Sequence, residues 1–276
     1  MLRVAEQYAV SDPGRQRRAN EDSLLVRAPL FVVADGMGGA QAGEVASRVA
    51  IEAFGPGIGS EQEPERELAE LAHAANARIH DLSRTNLEHA GMGTTLTAIY
   101  VGTDEVAIAH VGDSRAYCLR DGELLRLTDD HSLVDELVRQ GRLTPQEAEE
   151  HPQRSVITRA LGPEGTVDVD TRSFRARAGD VYLICSDGLT TMLSEEEIRE
   201  ILLTSASLRA ASEALVAAAN AAGGRDNITV VLVRLEDVSA PGMAPDGPHD
   251  ATQTDIPVVR PAPVEPRRPR APGAGA

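Results

Sequence analysis

Lysine is absent from this chain of 276 residues, and all 27 of its basic side chains are arginine. A mechanism that depends on lysine, such as a P-loop phosphate site or a Schiff base, is therefore excluded. The 43 acidic side chains bring the formal net charge to −16. Because most of such a surface repels a polyanion, we expect no binding to nucleic acid, and a cation or a basic protein is the better partner.

Aromatic residues and cysteines are scarce as well. Aromatic side chains make up 3% of the chain and none is tryptophan, so the core must be built from Val, Leu, Ile and Ala, for which a hydrophobic content of 42% suffices. The two cysteines, Cys118 and Cys185, lie in apolar runs and are expected to be buried. Without a disulfide framework, a signal-peptide pattern or a long apolar stretch, the chain is predicted to be cytoplasmic and to have no membrane span.

The composition divides the chain into two parts. Residues 1–237 carry all the apolar patterns, whereas residues 238–276 are rich in Pro, Gly and Ala and are predicted to be a disordered tail. Within the first part, residues 129–165 are polar, contain three prolines and show one short helical pattern. We expect this segment to form a flap over one end of the fold.

The apolar patterns of the first part predict an α+β fold. Ten short runs rich in Val, Ile, Leu and Tyr are typical of strands, and Asp121–Gly122 predicts a tight hairpin between two of them. Apolar residues recur at helical spacing over 40–54, 64–88, 194–203 and 207–222. Hairpin-linked strands with helices in pairs favour two antiparallel sheets packed face to face with a helical layer outside each, a four-layer α-β-β-α sandwich.

Four aspartates stand at the ends of predicted strands. Asp35, Asp113 and Asp187 each follow an apolar run and have a glycine beside them, and Asp226 lies just before another apolar run. The charge of an aspartate at the end of a packed strand needs a partner. Four carboxylates gathered at one end of a sheet repel one another unless a hard cation lies between them. The sequence therefore predicts a site for divalent cations.

A charged segment joins the first predicted strand to the second and can lie at the same end of the sheets as Asp35. Glu21 and Asp22 in this segment offer further oxygen ligands for a cation. Arg17 offers a fork of N–H donors that matches a phosphate oxyanion. The segment thus adds a candidate phosphate contact to the predicted metal site.

The glycine loop that follows Asp35 does not match the known phosphate-binding glycine motifs. Gln41 stands where the dinucleotide-binding motif needs its third glycine, and Glu44 and Val45 stand where a P-loop needs lysine and serine or threonine. The second acidic residue of an EF-hand loop is also missing. A carboxylate and nearby backbone carbonyls remain, and these suit a divalent cation.

Seven short motifs, taken in order, resemble the metal-dependent protein phosphatases. These are the serine/threonine phosphatases of the protein phosphatase 2C type, here in their compact bacterial form. The motifs are Arg17-x-x-Asn-Glu-Asp22, Asp35-Gly-Met-Gly-Gly39, Gly93-Thr-Thr-Leu96, Gly112-Asp-Ser-Arg115, Ile157-Thr-Arg-Ala-Leu-Gly162, Ser186-Asp-Gly-Leu189 and Asp226-Asn-Ile-Thr229. The resemblance implies a catalytic domain over residues 1–237 with the sandwich fold that the apolar patterns predict.

The resemblance also implies which residues are catalytic and hold the metals. Asp35 would bridge two Mn²⁺ or Mg²⁺ ions, and the carbonyl of Gly36 would bind one of them. Asp187 and Asp226 would hold the first ion. Asp35, Asp187 and Asp226 are accordingly the residues expected to be catalytic.

Other residues of the motifs would complete the site. Glu21 and Asp22 would reach the second ion directly or through its waters, and Asp113 would belong to a third, weaker metal site. Arg17 would clamp the phosphate of the substrate, and Asn227 would support the phosphate-binding part of the site by hydrogen bonding.

The implied activity is hydrolysis of phosphoserine and phosphothreonine in proteins, including a serine/threonine kinase, by a cytoplasmic monomer. Two cations lower the pKa of a water that bridges them, so that hydroxide exists at neutral pH and attacks phosphorus in line. The first alternative is a non-catalytic interaction module that keeps the fold without its metals. The second is a phosphatase of the haloacid-dehalogenase type, but its nucleophilic Asp-x-Asp is missing because Met37 follows Asp35 and Gly36.

Met37 also stands where many members of the family carry a histidine that could protonate the leaving group. A thioether cannot transfer a proton. His110 lies inside a predicted strand and is expected to be a core residue, and His131 at the start of the flap could order that segment. The sequence thus leaves the proton donor open.

Overall fold

The computed structural model describes residues 1–38, 42–59, 63–85, 87–149 and 151–238. The strands in these ranges are β1 (Leu2–Asp12), β2 (Asp22–Arg27), β3 (Leu30–Met37), β4 (Gly93–Thr94), β5 (Leu96–Val101), β6 (Glu105–Val111), β7 (Arg115–Arg120), β8 (Glu123–Arg126), β9 (Asp170–Arg175), β10 (Val181–Cys185) and β11 (Ile228–Asp237). The α-helices are α1 (Ala42–Ala53), α2 (Pro64–Thr85), α3 (Leu133–Arg139), α4 (Pro145–Glu149), α5 (Asp187–Thr190), α6 (Glu195–Thr204) and α7 (Leu208–Ala221).

The strands form two antiparallel sheets. The first has the order β1-β11-β10-β7-β8, and the second has the order β2-β3-β5-β6-β9 with β4 paired to β3. The predicted hairpin joins β7 to β8, and Asp121 and Gly122 in its turn have φ angles of 53° and 83°. A two-residue turn with both φ angles positive matches the twist of the strands, which is why Asp-Gly is favoured there.

Three apolar clusters lie between four layers. In the first cluster, Leu68 and its neighbours on α1 and α2 pack against the second sheet. The middle cluster joins the two sheets through residues such as Phe31 and Ile184. In the third, Leu215 and its neighbours on α6 and α7 pack against the first sheet. The strands in the middle of each sheet are therefore covered on both faces, and the predicted four-layer sandwich of α+β class is confirmed.

Some boundaries differ from the sequence-based prediction. The apolar run over 94–102 is interrupted at Thr95, so that β4 and β5 are separate strands. At this break the hydroxyl of Thr95 accepts a hydrogen bond from the N–H of Asp35 (2.9 Å), and the N–H of Thr95 donates to the carbonyl of Asp35 (2.8 Å). The flap contains two helices, α3 and α4, where one was predicted, and the short helix α5 was not predicted at all.

Part of the predicted organisation falls outside the described residues. This applies to the tail from residue 239 onward and to the loop over 39–41, so the division at residue 237 stays a prediction. No helix in the described ranges is both long enough and apolar enough to cross a bilayer.

Candidate active site

One cleft of about 580 Å³ gathers residues that are distant in the sequence. Six of the seven residues predicted to hold metals line it: Glu21, Asp35, Gly36, Asp113, Asp187 and Asp226. The seventh, Asp22, does not line the cleft but pairs with Asp35 across β2 and β3. The structure therefore brings the predicted carboxylates to one end of the two sheets.

A close approach of two glycines places Asp35 at this end. A Cβ atom at Gly36 would lie 2.1 Å from the carbonyl oxygen of Gly43 and 2.7 Å from that of Glu21. Any other side chain would push the end of β3 away from the start of α1 and from the β1–β2 loop. Hydrogen bonds complete the placement, since the hydroxyl of Thr94 donates to the carbonyl of Asp35 (2.8 Å).

Two hydroxyl groups hold the carboxylate of Asp22. Its Oδ2 accepts hydrogen bonds from the hydroxyls of Ser186 (2.8 Å) and Thr229 (2.6 Å). Ser186 directly precedes Asp187, and Thr229 follows Asn227 by two residues. The same contacts thus tie together the three chain segments that carry Asp22, Asp187 and Asp226.

Three buried carboxylate oxygens at this end have no hydrogen-bond partner, namely the Oδ1 atoms of Asp22, Asp113 and Asp187. A buried anionic oxygen is costly unless it is paired or coordinates a metal. No group of three or more His, Cys, Asp or Glu side chains in the described ranges lies close enough together to enclose an ion as it stands. The set of donors consists of oxygen alone, which is the set that hard divalent cations take, so the residues fit such ions.

The carboxylates raise one another's pKa values. Burial, followed by the charges of Asp22, Asp187, Asp113 and Asp226, raises the pKa of Asp35 well above its usual range. Burial and the charges of Asp113, Asp226 and Asp22 raise the pKa of Asp187 well above its usual range. Burial raises the pKa of Asp22 to about 6 against the opposing effect of its hydroxyl donors, and it raises the pKa of Asp113 to about 6. Cations placed among these groups would favour their ionised form.

Arg17 faces the carboxylates from the β1–β2 loop. Its Nη2 atom donates to Oδ2 of Asp226 (2.6 Å), and half of its side chain is exposed. The contact holds the guanidinium beside the cleft that it lines while leaving N–H donors available. Such a fork can bind two oxygens of a phosphate.

Asn227 does not line the cleft and instead fixes the β1–β2 loop. Its side chain is buried, and its Nδ2 atom donates to the carbonyls of Pro13 (3.0 Å) and Ala19 (2.9 Å). Its Oδ1 atom accepts a hydrogen bond from the N–H of Glu21 (2.8 Å). All of these partners are backbone groups, so Asn227 supports the loop that carries Arg17.

The sequence did not single out several residues that complete the site. The hydroxyls of Thr95, Ser186 and Thr229 hold the aspartates, and Arg18 and Ser155 line the cleft. For Thr95, Ser186 and Thr229, their place in the seven ordered motifs was the signal that could have identified them.

Comparisons with known proteins agree with this geometry. Residues 15–228 match the family described as protein phosphatase 2C. The serine/threonine phosphatase stp of Listeria monocytogenes is 41% identical over 237 residues, which cover 82% of this chain and 94% of that protein.

Two crystal structures are similar over most of the chain. The Mycobacterium tuberculosis serine/threonine phosphatase PstP/Ppp superimposes with a TM-score of 0.81 at 42% identity, over 86% of this chain and 99% of the other. The catalytic domain of PstP in complex with two manganese ions superimposes with a TM-score of 0.78 at 39% identity, over 86% and 100% of the two chains.

Proposed function

Because the chain belongs to the protein phosphatase 2C family and is a serine/threonine phosphatase of the compact bacterial type, we propose that its cleft hydrolyses phosphoserine and phosphothreonine in proteins with two bound Mn²⁺ or Mg²⁺ ions. The observation that carries the assignment to this cleft is the set of buried carboxylates, three of which have an oxygen without a hydrogen-bond partner. The two manganese ions in the PstP neighbour support the choice of metal.

The residues that would hold the ions all belong to the cleft or lie next to it. We assign the first ion to Asp35, Asp187 and Asp226 and the second to Asp35 with Glu21 and Asp22, with the carbonyl of Gly36 binding one of the two. A third, weaker site is assigned to Asp113 together with Asp187. When bound, the pair of cations supplies the Lewis acidity that makes hydroxide available from a shared water at neutral pH. Hydroxyl groups hold the carboxylate of Asp22 and the backbone of Asp35 in place at this end of the sheets.

Arg17 would bind the phosphate of the substrate. Its guanidinium is bonded to Asp226, and half of the side chain is exposed. A phosphoryl group that enters the cleft therefore meets N–H donors beside the carboxylates. These donors offset negative charge on the phosphoryl oxygens as the bond to the leaving group lengthens. Asn227 fixes the loop and thereby the position of Arg17. Met37 lines the cleft but carries no ionisable proton, so it does not protonate the leaving oxygen.

The test is phosphate release from p-nitrophenyl phosphate and from a phosphothreonine peptide. We expect turnover with Mn²⁺, its loss when the metal is chelated, and its return when Mn²⁺ is added in excess. A protein that releases no phosphate from either substrate under any of these conditions would instead be the non-catalytic interaction module.

The cellular setting forms a further part of the proposal. We place the protein in the cytoplasm as a monomer, with a phosphorylated serine/threonine kinase among its substrates. The two cysteines, Cys118 and Cys185, are free and buried in the structure, which suits a reducing compartment. Dephosphorylation of the purified kinase in the presence of Mn²⁺ tests the choice of substrate.

A further inference from the structure

Two arginines are among the described residues that line the cleft, and their situations differ. Arg17 is held by Asp226 at 2.6 Å. Arg18 is exposed, and no hydrogen bond or ion pair of its side chain is found in the part of the chain that the structure describes. Arg17 thus binds a carboxylate and is assigned to the substrate phosphate, whereas Arg18 has no partner within the described part of the protein.

The backbone on either side of Arg18 is fixed although its side chain is free. The carbonyl of the next residue, Ala19, accepts a hydrogen bond from the buried side chain of Asn227, which also bonds Pro13 and Glu21 in the same loop. The N–H of Arg15 donates to the carbonyl of Gly224 (2.7 Å). The backbone of Arg18 therefore has a defined place at the cleft, so that binding a ligand has to order only its side chain.

The distance between the two arginines limits what Arg18 can reach. Neighbouring Cα atoms are about 3.8 Å apart, and an extended peptide advances about 3.3 Å per residue. If Arg17 binds the phosphate of a phosphorylated residue, the flexible stem of Arg18 reaches side chains about one to three residues away in the substrate. The positive charge of Arg18 favours an anionic side chain at these positions of the substrate.

We propose that Arg18 determines specificity by selecting phosphoserine and phosphothreonine sites that have a second anionic side chain nearby. That side chain is aspartate, glutamate or another phosphoresidue, and the inference rests on the proposed function. The rest of the protein works against acidic substrates, because its net charge of −16 repels them. A preference for an acidic neighbour therefore has to come from a local cation, and Arg18 is the unpaired one among the described residues of the cleft.

The expected effect is modest and falls on KM. An exposed ion pair changes affinity by about two- to fivefold. The contact to a flanking side chain is the same before and during bond cleavage, so it changes KM and leaves kcat unaltered. Higher salt should reduce the effect because the pair is exposed.

The experiment compares phosphothreonine peptides that differ only at the position two residues from the phosphothreonine, on either side. That position carries asparagine, aspartate or a non-hydrolysable phosphonate analogue of phosphoserine. The enzymes are the wild type, Arg18→Gln, Arg18→Lys and the matched control Arg15→Gln, since Arg15 is exposed on the same loop but is not among the residues that line the cleft.

In the wild type we expect a kcat/KM ratio of anionic to asparagine peptide of about two to five. Arg18→Gln should bring the ratio to about one, and Arg18→Lys and Arg15→Gln should keep it well above one. A ratio raised only for the phosphonate identifies a phosphoresidue as the preferred neighbour, and one raised for aspartate identifies a carboxylate.

Two results would overturn the inference: a wild-type ratio near one for all peptides, or a ratio that Arg18→Gln leaves unchanged. Failure of the proposed function looks different, because the wild type would then release no phosphate even from p-nitrophenyl phosphate with Mn²⁺.

Discussion

Asp187 shows how a single residue of this site combines opposing demands. It lies among Asp35, Asp113, Asp22 and Asp226, its buried Oδ1 atom has no hydrogen-bond partner, and its pKa is raised well above the usual range by burial and by the charges of Asp113, Asp226 and Asp22. In the metal-free protein its charge is unfavourable, whereas in the metal-bound protein that charge is what attracts a cation. The charge of Asp187 therefore lowers the stability of the metal-free protein and is required for metal binding.

We expect Asp187→Asn to lower the turnover of p-nitrophenyl phosphate with Mn²⁺ by at least about 100-fold, because a ligand charge of the cation is lost. The metal-free variant should unfold at the same temperature as the metal-free wild type or higher, since one buried repulsive charge is removed. Thermal unfolding with and without Mn²⁺ checks both points, and the stabilisation by Mn²⁺ should shrink in the variant. Full activity of Asp187→Asn would remove this residue from the metal site.

Asn227 makes a prediction of a different kind. Asn227→Ala leaves the N–H of Glu21 and the carbonyls of Pro13 and Ala19 without their partners, at a cost of about 1–3 kcal/mol in unfolding free energy. Because the loop also carries Arg17, the KM for p-nitrophenyl phosphate should rise.

Asn227→Asp is the matched variant, since it keeps an acceptor for the N–H of Glu21 and loses the two donors. Chemical denaturation and steady-state kinetics report the two effects. Unchanged stability together with unchanged KM in Asn227→Ala would show that the loop holds its place without this side chain.

At the scale of elements, the flap is tied to the sheets through His131. Its ring Nδ1 accepts a hydrogen bond from the N–H of Gly112 (3.0 Å), and its Nε2 lies 3.2 Å from Oδ2 of Asp170. Its backbone bonds the carbonyl of Gly112 and the N–H of Thr158, both at 2.8 Å. The turn that carries Asp113 and the cleft-lining part of the flap are thus joined by one buried residue.

We expect His131→Leu to lower the unfolding free energy by about 1–3 kcal/mol, because the buried N–H of Gly112 loses its acceptor. Amide hydrogen exchange should become faster at Thr158 and its neighbours in the flap. His73→Leu serves as the control, since His73 is exposed on α2 and its replacement leaves these contacts untouched. Exchange in the flap that is as slow in His131→Leu as in the wild type would contradict this role.

Another element shows how local signals determine structure. Ser194 caps α6 and forms a capping box with Glu197, in which each side chain bonds the backbone of the other residue. The two residues are three positions apart in the sequence, which is the spacing that such a box requires, so the start of α6 could be predicted. The two helices of the flap begin with local signals as well, since the hydroxyl of Ser132 accepts a hydrogen bond from the N–H of Asp135 at the start of α3, and Thr144 and Glu147 bond each other's backbone N–H groups at the start of α4. Both helices are short, with seven and five residues.

At the scale of the whole molecule, the pH dependence of stability should carry the signature of a buried neutral histidine. His110 is 2% exposed, and burial followed by the neighbouring His131 lowers its pKa to about 4. In the unfolded chain a histidine has a pKa of about 6.5. Between these two values the unfolded state binds a proton that the folded state does not bind, so stability falls as the pH is lowered.

The full contribution of His110 is therefore present above pH 6.5 and is lost as the pH falls toward 4, by roughly 3 kcal/mol at most. His110→Gln lacks the titrating group, and its amide can still donate to the carbonyl of Asp129. The stability difference between wild type and variant, measured by denaturation in a chelator at pH 7 and pH 4.5, should shift by this amount in favour of the variant. A pH-independent difference would show that the pKa of His110 is the same in the folded and the unfolded protein.

Much of the fold could be predicted because its causes are local. The alternation and length of the apolar runs indicated the strands, helical spacing indicated the two helices of each outer layer, and Asp121–Gly122 indicated the hairpin. The strand break at Thr95 could not be predicted, since Asp35, which bonds Thr95 at this point, lies sixty residues away. In the candidate site, too, the residue types could be predicted from the sequence, whereas their partners in the fold could not.

By itself the sequence determined which groups are available: strand-end aspartates, an arginine ahead of two acidic residues, and a glycine loop after Asp35. The order of the residues and their chemical types are enough to identify these groups. Only the tertiary structure decided that Asp22 pairs with the hydroxyl of Thr229, 207 residues away, and that Arg115 binds Asp130. It also decided that Asn227 supports a loop and that Arg18 lines the cleft. Such partnerships depend on which residues meet when the sheets pack, and no local spacing encodes those distances.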